Sequence, residues 1–276
     1  MTLFYEDEYV QLHHGEYQDI LPTLDRVDVV ICDPPYSDHV HGAARSSRMV
    51  ASNDRGGQYG SDTRRNVDLG FDSLQPEDRA FLAEQFARLA KRWVLVFSDV
   101  ESDVLWRDDL TASGLDYVRT GAWVKLGSTP QFSGDRPATG FEAITIAHPK
   151  GRKRWNGGGR HGVWKYEPVW EVPIVLNRSG KDPRLHTTQK PLPLMRALID
   201  DFTEPGEVVL DATAGSGTTG HAAKAAGRRA ILIERRADYC QKIADRLANV
   251  TPDIVIPEPE PDWQQAFDFS ALEVDA

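Results

Sequence analysis

The segment Asp33-Pro34-Pro35-Tyr36 contains residue types that suit chemistry on an amine. An exocyclic amine of adenine or cytosine is a poor nucleophile because its lone pair is delocalised into the ring. A carboxylate and a backbone carbonyl that accept its two N–H bonds favour the sp³-like geometry needed to attack a methyl group, and Asp33 and Pro34 can supply them. The two prolines hold the turn rigidly, and Tyr36 can stack on a base taken out of its duplex. The alternative interpretation is a strand ended by proline, with the tyrosine there by chance.

A second segment, from Asp211 to Gly220, is typical of a glycine-rich turn between a strand and a helix. Gly215 and Gly217 allow the backbone to approach a ligand closely, and the helix N-terminus offers free N–H groups. Glu234 ends the next predicted strand, where an acid can accept both ribose hydroxyls of a nucleoside. The same glycine spacing also fits an NAD-dependent dehydrogenase, although only one further strand–helix pair follows it. A tight turn that binds no ligand is the third interpretation.

A third segment, His186-Thr187-Thr188-Gln189-Lys190-Pro191, leads into a predicted helix. Thr188 and Lys190 can hold a small carboxylate, and the N-terminus of the helix adds a favourable dipole. Ordinary helix caps have a similar composition, so this segment alone does not identify a site.

The charge of the chain is unevenly distributed. The formal net charge is −10, yet the residues from Arg119 to Lys165 include nine Lys or Arg and only two acids, a local charge of +7. The region from Pro252 to Ala276 carries seven acids and no base. A basic patch on an acidic protein can still bind phosphates, because its field acts over about a Debye length, ~10 Å. The alternative is a solvated loop that carries lysines and arginines.

The cysteine and histidine content argues against disulfides and metal. Only Cys32 and Cys240 occur, which disfavours a disulfide framework or a four-ligand zinc cluster, and the eight histidines show no ligand spacing. We therefore expect no metal, and we expect Cys32 to point into the core. No apolar run approaches the length that crosses a membrane, and residues 1–9 lack a signal-peptide pattern. The expected location is the cytoplasm, with no membrane contact.

Strand and helix patterns alternate along the chain. The predicted strands are Tyr9–His13, Val27–Cys32, Trp93–Phe97, Tyr117–Lys125, Glu142–Ala147, Glu207–Leu210 and Arg229–Ile233, and the predicted helices are Gln75–Ala90, Val104–Ser113, Pro191–Phe202, Thr218–Ala226 and Ala237–Leu247. Such alternation predicts an α/β fold, a mostly parallel sheet with helices on both faces. Residues 37–72 are polar and form too long a connection for an ordinary loop, which is typical of a functional lid or of disorder.

With the three segments in this order, the chain resembles the β-type amino (N6-adenine/N4-cytosine) DNA methyltransferases. The resemblance runs from about Val10 to Leu247 and implies a Rossmann-like, circularly permuted class I methyltransferase sheet with an inserted target-recognition region. It divides the chain into a catalytic part (1–126), the recognition insertion (127–185), a cofactor-binding part (186–250) and an acidic tail (251–276). It also implies S-adenosylmethionine as the methyl donor and DNA as the substrate. A homodimer and a restriction endonuclease partner are further expectations from the family.

The resemblance assigns a role to each matching residue. Asp33, Pro34, Pro35 and Tyr36 match the catalytic segment, and the cofactor site takes in Asp211, Ala214, Gly215, Ser216, Gly217, Thr218, Thr219 and Glu234 together with Thr188 and Lys190 near the methionine carboxylate. An aspartate before Pro-Pro-Tyr favours N6 of adenine over N4 of cytosine within the family. Two departures stand out: Ala212-Thr213 replace the usual Pro-Phe, and Gly15-Glu16 replace Gly-Asp. The strands before Asp33 and Asp211 should be neighbours in the sheet, so that methyl donor and amine meet.

The basic segment is the expected DNA contact. Its candidates are Lys150, Arg152, Lys153, Arg154 and Arg160 for phosphates and Trp155 for wedging or stacking between bases. Such contacts make binding fall steeply with salt. The alternatives to N6-adenine methylation are N4-cytosine methylation, methylation of an RNA or protein amine, a DNA-binding module without activity, and the dehydrogenase mentioned above.

Overall fold

The computed structural model of this protein describes residues 2–36, 74–127, 136–168 and 189–253. Their main feature is a single nine-stranded sheet with helices packed against it. In chain order the elements are β1 (Thr2–Glu6), β2 (Val10–His14), α1 (Tyr17–Ile20), a 3-10 turn (Leu21–Thr23), β3 (Val29–Cys32), α2 (Pro76–Leu89), β4 (Val94–Ser98), α3 (Asp103–Ala112), β5 (Asp116–Lys125), β6 (Phe141–His148), β7 (Val163–Tyr166), α4 (Leu192–Phe202), β8 (Val208–Asp211), α5 (Thr218–Ala225), β9 (Arg229–Glu234) and α6 (Ala237–Ala248).

The strand order is β1-β2-β9-β8-β3-β4-β6-β5-β7. The five strands from β2 to β4 in this order are parallel, and β1 joins β2 antiparallel at one side. On the other side β6 runs antiparallel to both β4 and β5, and β7 is parallel to β5. Every residue of β3 and β4 is buried, as the apolar composition of a central parallel strand requires. The expected α/β fold with a mostly parallel sheet is confirmed.

The core has one layer on each face of the sheet, because alternate residues of a strand point to opposite faces. Along β4, Leu95 and Phe97 belong to the layer covered by α4, α5 and α6, and Val94 and Val96 belong to the layer covered by α2 and α3. The helix α2 has 14 residues. Among the described residues no helix is long and apolar enough to cross a membrane.

The strands β3 and β8 are parallel neighbours, with Val29 opposite Val209 and Val30 opposite Leu210. This pairing confirms the expectation that the strands before the two main motifs lie side by side. Both motifs therefore emerge at the same edge of the sheet, where β3, β4, β8 and β9 end. We call this the carboxyl edge, and the opposite one the amino edge.

Two strands, β1 and β7, were not predicted. The strand β1 is exposed along four of its five residues, so it lacks the apolar alternation that marks a strand. The strands β6 and β7 lie inside the predicted recognition insertion, 127–185, but both are part of the main sheet. The reason is that β6 is buried from Ala143 to His148 and fills the position between β4 and β5. Residues 37–73, Thr188 and the acidic tail beyond Asp253 lie outside the described residues.

Candidate active site

Asp33 stands at the carboxyl edge, directly after β3. Its Oδ2 accepts a hydrogen bond from Lys190 Nζ at 2.5 Å. Its Oδ1 is buried and has no hydrogen-bond partner in the described part of the chain. Burial raises the pKa of Asp33, and the nearby Glu142 carboxylate raises it further. The ammonium of Lys190 lowers the pKa, but the net direction is upward. Leaving a buried acceptor without a donor costs on the order of 1–3 kcal/mol, so Oδ1 is well placed to accept a donor from a ligand.

Tyr36 is held by its hydroxyl group. The hydroxyl donates to Glu142 Oε2 at 2.6 Å and accepts from Lys190 Nζ at 3.2 Å. Burial, together with the carboxylates of Asp33 and Glu142, raises the pKa of Tyr36 well above its usual value, so the phenol stays neutral. These two bonds fix the direction of the aromatic ring beside Asp33.

Lys190 connects the catalytic residues. Its Nζ, besides bonding Asp33 and Tyr36, is 3.2 Å from Glu142 Oε2, and it lies 5.0 Å from the ring centre of Phe97 and 5.9 Å from that of Trp123. Burial lowers the pKa of Lys190, but the two carboxylates more than offset this and the pKa is raised. Lys190 thus bonds Asp33 and Tyr36 of the predicted catalytic segment and Glu142 of β6. Its assignment to the cofactor carboxylate stays a prediction.

Glu142 was missed by the sequence analysis, together with Lys125. Lys125 Nζ lies 2.6 Å from Glu142 Oε1, and only 12% of the Glu142 side chain is exposed. Burial acts to raise the pKa of Glu142, but the ammonium groups of Lys190 and Lys125 lower it to about 2. The only signal in the sequence is a lone acid at the start of a mostly apolar strand. Its meaning depends on pairing between β4, β5 and β6, which the sequence does not show.

The glycine-rich turn joins β8 to α5. Gly215 and Gly217 have left-handed backbones, with φ of 54° and 71°. The N–H of Gly215 donates to Glu234 Oε2 at 2.9 Å, and the N–H of Arg236 donates to Glu234 Oε1 at 2.9 Å. Each carboxylate oxygen of Glu234 accepts one backbone donor and keeps a second lone pair for a ribose hydroxyl. This geometry leaves Glu234 able to accept from a ribose, and the assignment of the turn to a nucleoside site stays a prediction.

Polar side chains stabilise this turn from within. Asp211 Oδ2 accepts from the hydroxyl of Thr219 at 2.6 Å, and the hydroxyls of Ser216 and Thr218 are 2.9 Å apart. Burial raises the pKa of Asp211 to about 7. The N–H of Ala214 donates to Ile233 on β9. The structure brings all these predicted cofactor residues together at one turn.

Thr213 links the two motifs. Its hydroxyl donates to the backbone carbonyl of Asp33 at 3.0 Å and lies 3.2 Å from the Sγ atom of Cys32. Cys32 is fully buried, which confirms that its side chain points into the core. A residue of the glycine-rich turn thus bonds directly to the catalytic segment, at one of the positions where this chain departs from the family pattern.

The basic segment after β6 lies at the amino edge. Because β6 runs antiparallel to β4, His148 is level with the start of β4 and the chain leaves the sheet on the side away from Asp33. The carbonyl of Arg154 accepts from Trp93 Nε1 at 2.6 Å and from Arg92 at 2.9 Å, both just before β4. Along the five residues of β4 the two edges are ~13 Å apart. The structure therefore does not bring Arg154 and its neighbours to the carboxyl edge.

Most of the predicted DNA contacts have partners within the protein. The ion pairs are Lys153 with Asp116, Arg154 with Glu204, and Arg160 with Asp201. Trp155 packs near Phe202 with ring centres 5.6 Å apart, and its Nε1 donates to Gly158, so it already has structural contacts. Lys150 and Arg152 are exposed. DNA binding by this segment stays a prediction.

The sequence and the fold both match known methyltransferases. The model of the DNA methylase family, N6/N4 type, matches residues 27–245. The Type II methyltransferase M.HinfI of Haemophilus influenzae is 30% identical over 146 residues, which are 47% of this chain and 39% of that protein. The chain spans well under half the length of the curated relatives it matches.

Two solved structures show the same fold. The M1.HpyAVI-SAM complex superposes with a TM-score of 0.59 at 24% identity, over 86% of this chain and 100% of that one. The PvuII DNA methyltransferase, titled cytosine-N4-specific, has a TM-score of 0.64 at 14% identity, over 91% and 90% of the two chains. The fold is that of the class I methyltransferases. Since the family model covers most of the chain, this protein belongs to the N6/N4 DNA methylase family.

Proposed function

We propose that this protein transfers a methyl group from S-adenosylmethionine to the N6 amine of adenine in DNA, after the base has been flipped out of the duplex. The observation that carries the proposal is the buried Oδ1 of Asp33, which has no hydrogen-bond partner among the described residues, while Thr213 joins the glycine-rich turn to the backbone carbonyl of Asp33. Family membership supports the reaction class.

The residues of the turn fit the proposed donor. Gly215 and Gly217 leave room for close backbone approach, and Glu234 retains acceptor capacity for a ribose. When bound, S-adenosylmethionine supplies an electrophilic methyl group. The residues around Gly215 and Glu234 would hold its nucleoside part, at the carboxyl edge next to Asp33.

The catalytic segment would then activate the amine. Asp33 Oδ1 accepts one N–H bond and the carbonyl of Pro34 accepts the other, which favours the sp³-like amine. The raised pKa of Asp33 suits it to take the proton that the amine loses on methylation. Tyr36, fixed through its hydroxyl, stacks on the flipped base.

Methylation of cytosine N4 is the second candidate, because the same two acceptors would serve either amine. It is favoured by the similarity in fold to the PvuII enzyme, whose title names cytosine N4. We prefer adenine because, within the family, an aspartate at the position before Pro34 favours N6 of adenine. The two amines are chemically alike, so the product has to decide between them.

The proposal is tested by incubating the protein with labelled S-adenosylmethionine and unmethylated genomic DNA and analysing the nucleosides by mass spectrometry. We expect N6-methyladenine from the wild type and none from Asp33→Asn, which keeps the shape but loses the charge. Asp108→Asn is the control, since Asp108 is exposed on α3. N4-methylcytosine would replace the adenine assignment by the cytosine one. No labelled DNA from the wild type would overturn the proposal and favour an RNA or protein amine.

A homodimer and a restriction endonuclease partner belong to the same proposal, supported by the family resemblance alone. Sedimentation of the protein at assay concentration tests the first. Resistance of methylated DNA to an endonuclease of the same target sequence tests the second. A monomer would remove the expectation of a homodimer. A methylated sequence that no such endonuclease cuts would remove the expectation of a restriction partner.

A further inference from the structure

Glu142 is a buried acid that reaches the catalytic segment from a distant part of the chain. It lies on β6, 106 residues after Tyr36, and arrives beside Asp33 only because β6 pairs with β4. Its two oxygens accept three donors: Lys125 on Oε1, and Tyr36 and Lys190 on Oε2. No role in the reaction follows from the sequence motifs for this residue.

The burial of this group is not explained by stability. Ile144 and Ile146, which point to the same face of β6, are buried apolar residues of the core. A buried ion cluster at such a position offers little net stability over apolar packing, because desolvation costs as much as the charges gain. The four charges of Asp33, Glu142, Lys125 and Lys190 balance, so the cluster as a whole is neutral.

The arrangement around Lys190 depends on Glu142. An ammonium has three donors, and here they are divided between Asp33 Oδ2, Tyr36 and Glu142. Without the glutamate, Lys190 would be free to move onto both oxygens of Asp33, and the Tyr36 hydroxyl would lose its acceptor. Either change would close the open oxygen of Asp33 or turn the ring beside it.

We propose that Glu142 is a positioning residue: it holds Lys190 and Tyr36 so that Lys190 covers only one oxygen of Asp33 and the other stays open for the target amine. The inference rests on the proposed function. It also gives Lys190 a role at the catalytic segment, next to the aspartate.

Because Glu142 is charged, the proposal also predicts a change in the pH dependence of the activity. The titratable groups around Asp33 are Lys190, Glu142, Tyr36, Cys32 and Asp211. The Glu142 carboxylate raises the pKa of Asp33 and Lys190 lowers it. Glu142→Gln removes the first effect and frees Lys190 to strengthen the second. Both changes lower the pKa of Asp33, so the acidic limb of the activity profile should move to lower pH.

The experiment compares Glu142→Gln with Glu207→Gln in the methyl-transfer assay, with S-adenosylmethionine affinity and the thermal midpoint measured separately. Glu207 is a matched control because it is a half-buried glutamate paired with Arg92 at 2.5 Å, at the amino edge. We expect kcat of Glu142→Gln to fall about 10- to 100-fold, as misplaced catalytic groups do. Its affinity for S-adenosylmethionine should stay unchanged, and its acidic limb should shift to lower pH. Glu207→Gln should retain kcat.

Glu142→Asp is the second variant, in case the glutamine variant does not fold. It keeps the charge but withdraws the carboxylate, so we expect a lower kcat with the acidic limb near that of the wild type. A wild-type kcat and pH profile in these variants would overturn this inference and leave the proposed function standing. So would a loss of kcat fully matched by lost folding or lost cofactor binding. A wild type that methylates no DNA would overturn the proposed function, and this inference with it.

Discussion

At the scale of single residues, Thr213 joins the glycine-rich turn directly to the segment that begins at Asp33. Its hydroxyl donates to the carbonyl of Asp33, the peptide unit that precedes Pro34. Because proline at the next position removes an N–H, the orientation of this peptide depends on what its carbonyl accepts. A threonine in place of the phenylalanine more common in the family thus adds a polar contact where an apolar wall was expected.

Thr213→Val removes this hydrogen bond and keeps the shape of the side chain. We expect kcat to fall about 10-fold through misplacement of Asp33, while S-adenosylmethionine binding is retained. Thr213→Ser, which keeps the hydroxyl, should restore most of the activity. The measurement is steady-state methyl transfer with cofactor affinity by calorimetry.

Thr111→Val provides the control for this prediction. Thr111 is an exposed residue of α3 whose hydroxyl donates to the carbonyl of Arg107 at 2.7 Å, so the variant loses the same kind of bond far from the site. It should keep full activity. If Thr213→Val is as active as the wild type, or if Thr213→Ser loses as much, the link between the motifs has no part in catalysis.

A functional residue could be predicted from the sequence where it belongs to a local motif. Asp33 and Tyr36 form a local motif with its own chemical logic, and so do Gly215 and Gly217. Glu142 has no such motif, since its three partners, Tyr36, Lys125 and Lys190, come from three separate segments that only the fold brings together. Buried ion networks of this kind are a tertiary property.

At the scale of elements, the glycine-rich turn is fixed by packing as well as by backbone conformation. Gly217 has a φ of 71°, and a Cβ there would lie 2.8 Å from Cγ2 of Ile243 on α6. The start of α5 therefore lies too close to α6 for any larger residue. The need for glycine at this position comes from two independent causes.

We therefore expect Gly217→Ala to destabilise the protein and to weaken cofactor binding. We expect a loss of about 1–3 kcal/mol of unfolding free energy from strain and overpacking, and weaker S-adenosylmethionine binding because the turn must shift. Urea denaturation and calorimetry measure the two effects. Gly114→Ala adds the strain alone, as its φ is 94° with no atom within 4 Å of the new Cβ. Equal losses in the two variants would show that the contact with Ile243 is unimportant.

The elements themselves were predictable where burial leaves a clear pattern. The strands β3, β4, β8 and β9 are short apolar runs, and the boundaries found differ from those predicted by one or two residues. The strand β7 has only Trp164 buried, and β1 has no buried residue, so both lack that pattern. The Gly- and Trp-rich composition of the predicted insertion, 127–185, gave no sign that β6 and β7 pair with the main sheet, and the role of the insertion in target recognition stays a prediction.

At the scale of the whole molecule, the sheet separates the basic segment from Asp33 and the glycine-rich turn. The basic segment that includes Lys150 and Arg152 lies at the amino edge, although its composition alone marks it as the DNA contact. Lys165, exposed on β7 opposite Val124, lies at the carboxyl edge on the side of the amine site. A duplex whose base enters between Asp33 and the glycine-rich turn must approach the carboxyl edge first.

Lysines and arginines at the two edges are therefore expected to affect the salt dependence of DNA binding differently. Each lost phosphate contact lowers the slope of log affinity against log salt by ~1. We expect Lys165→Ala to weaken DNA binding and reduce this slope, and Lys150→Ala with Arg152→Ala to change neither, although the pair removes twice the charge. Binding of a labelled duplex over a range of salt concentrations, with S-adenosylmethionine affinity as the test of folding, provides the measurement. If the double variant has the larger effect, the duplex reaches past the sheet to the amino edge, and the sequence-based assignment of the basic segment is correct.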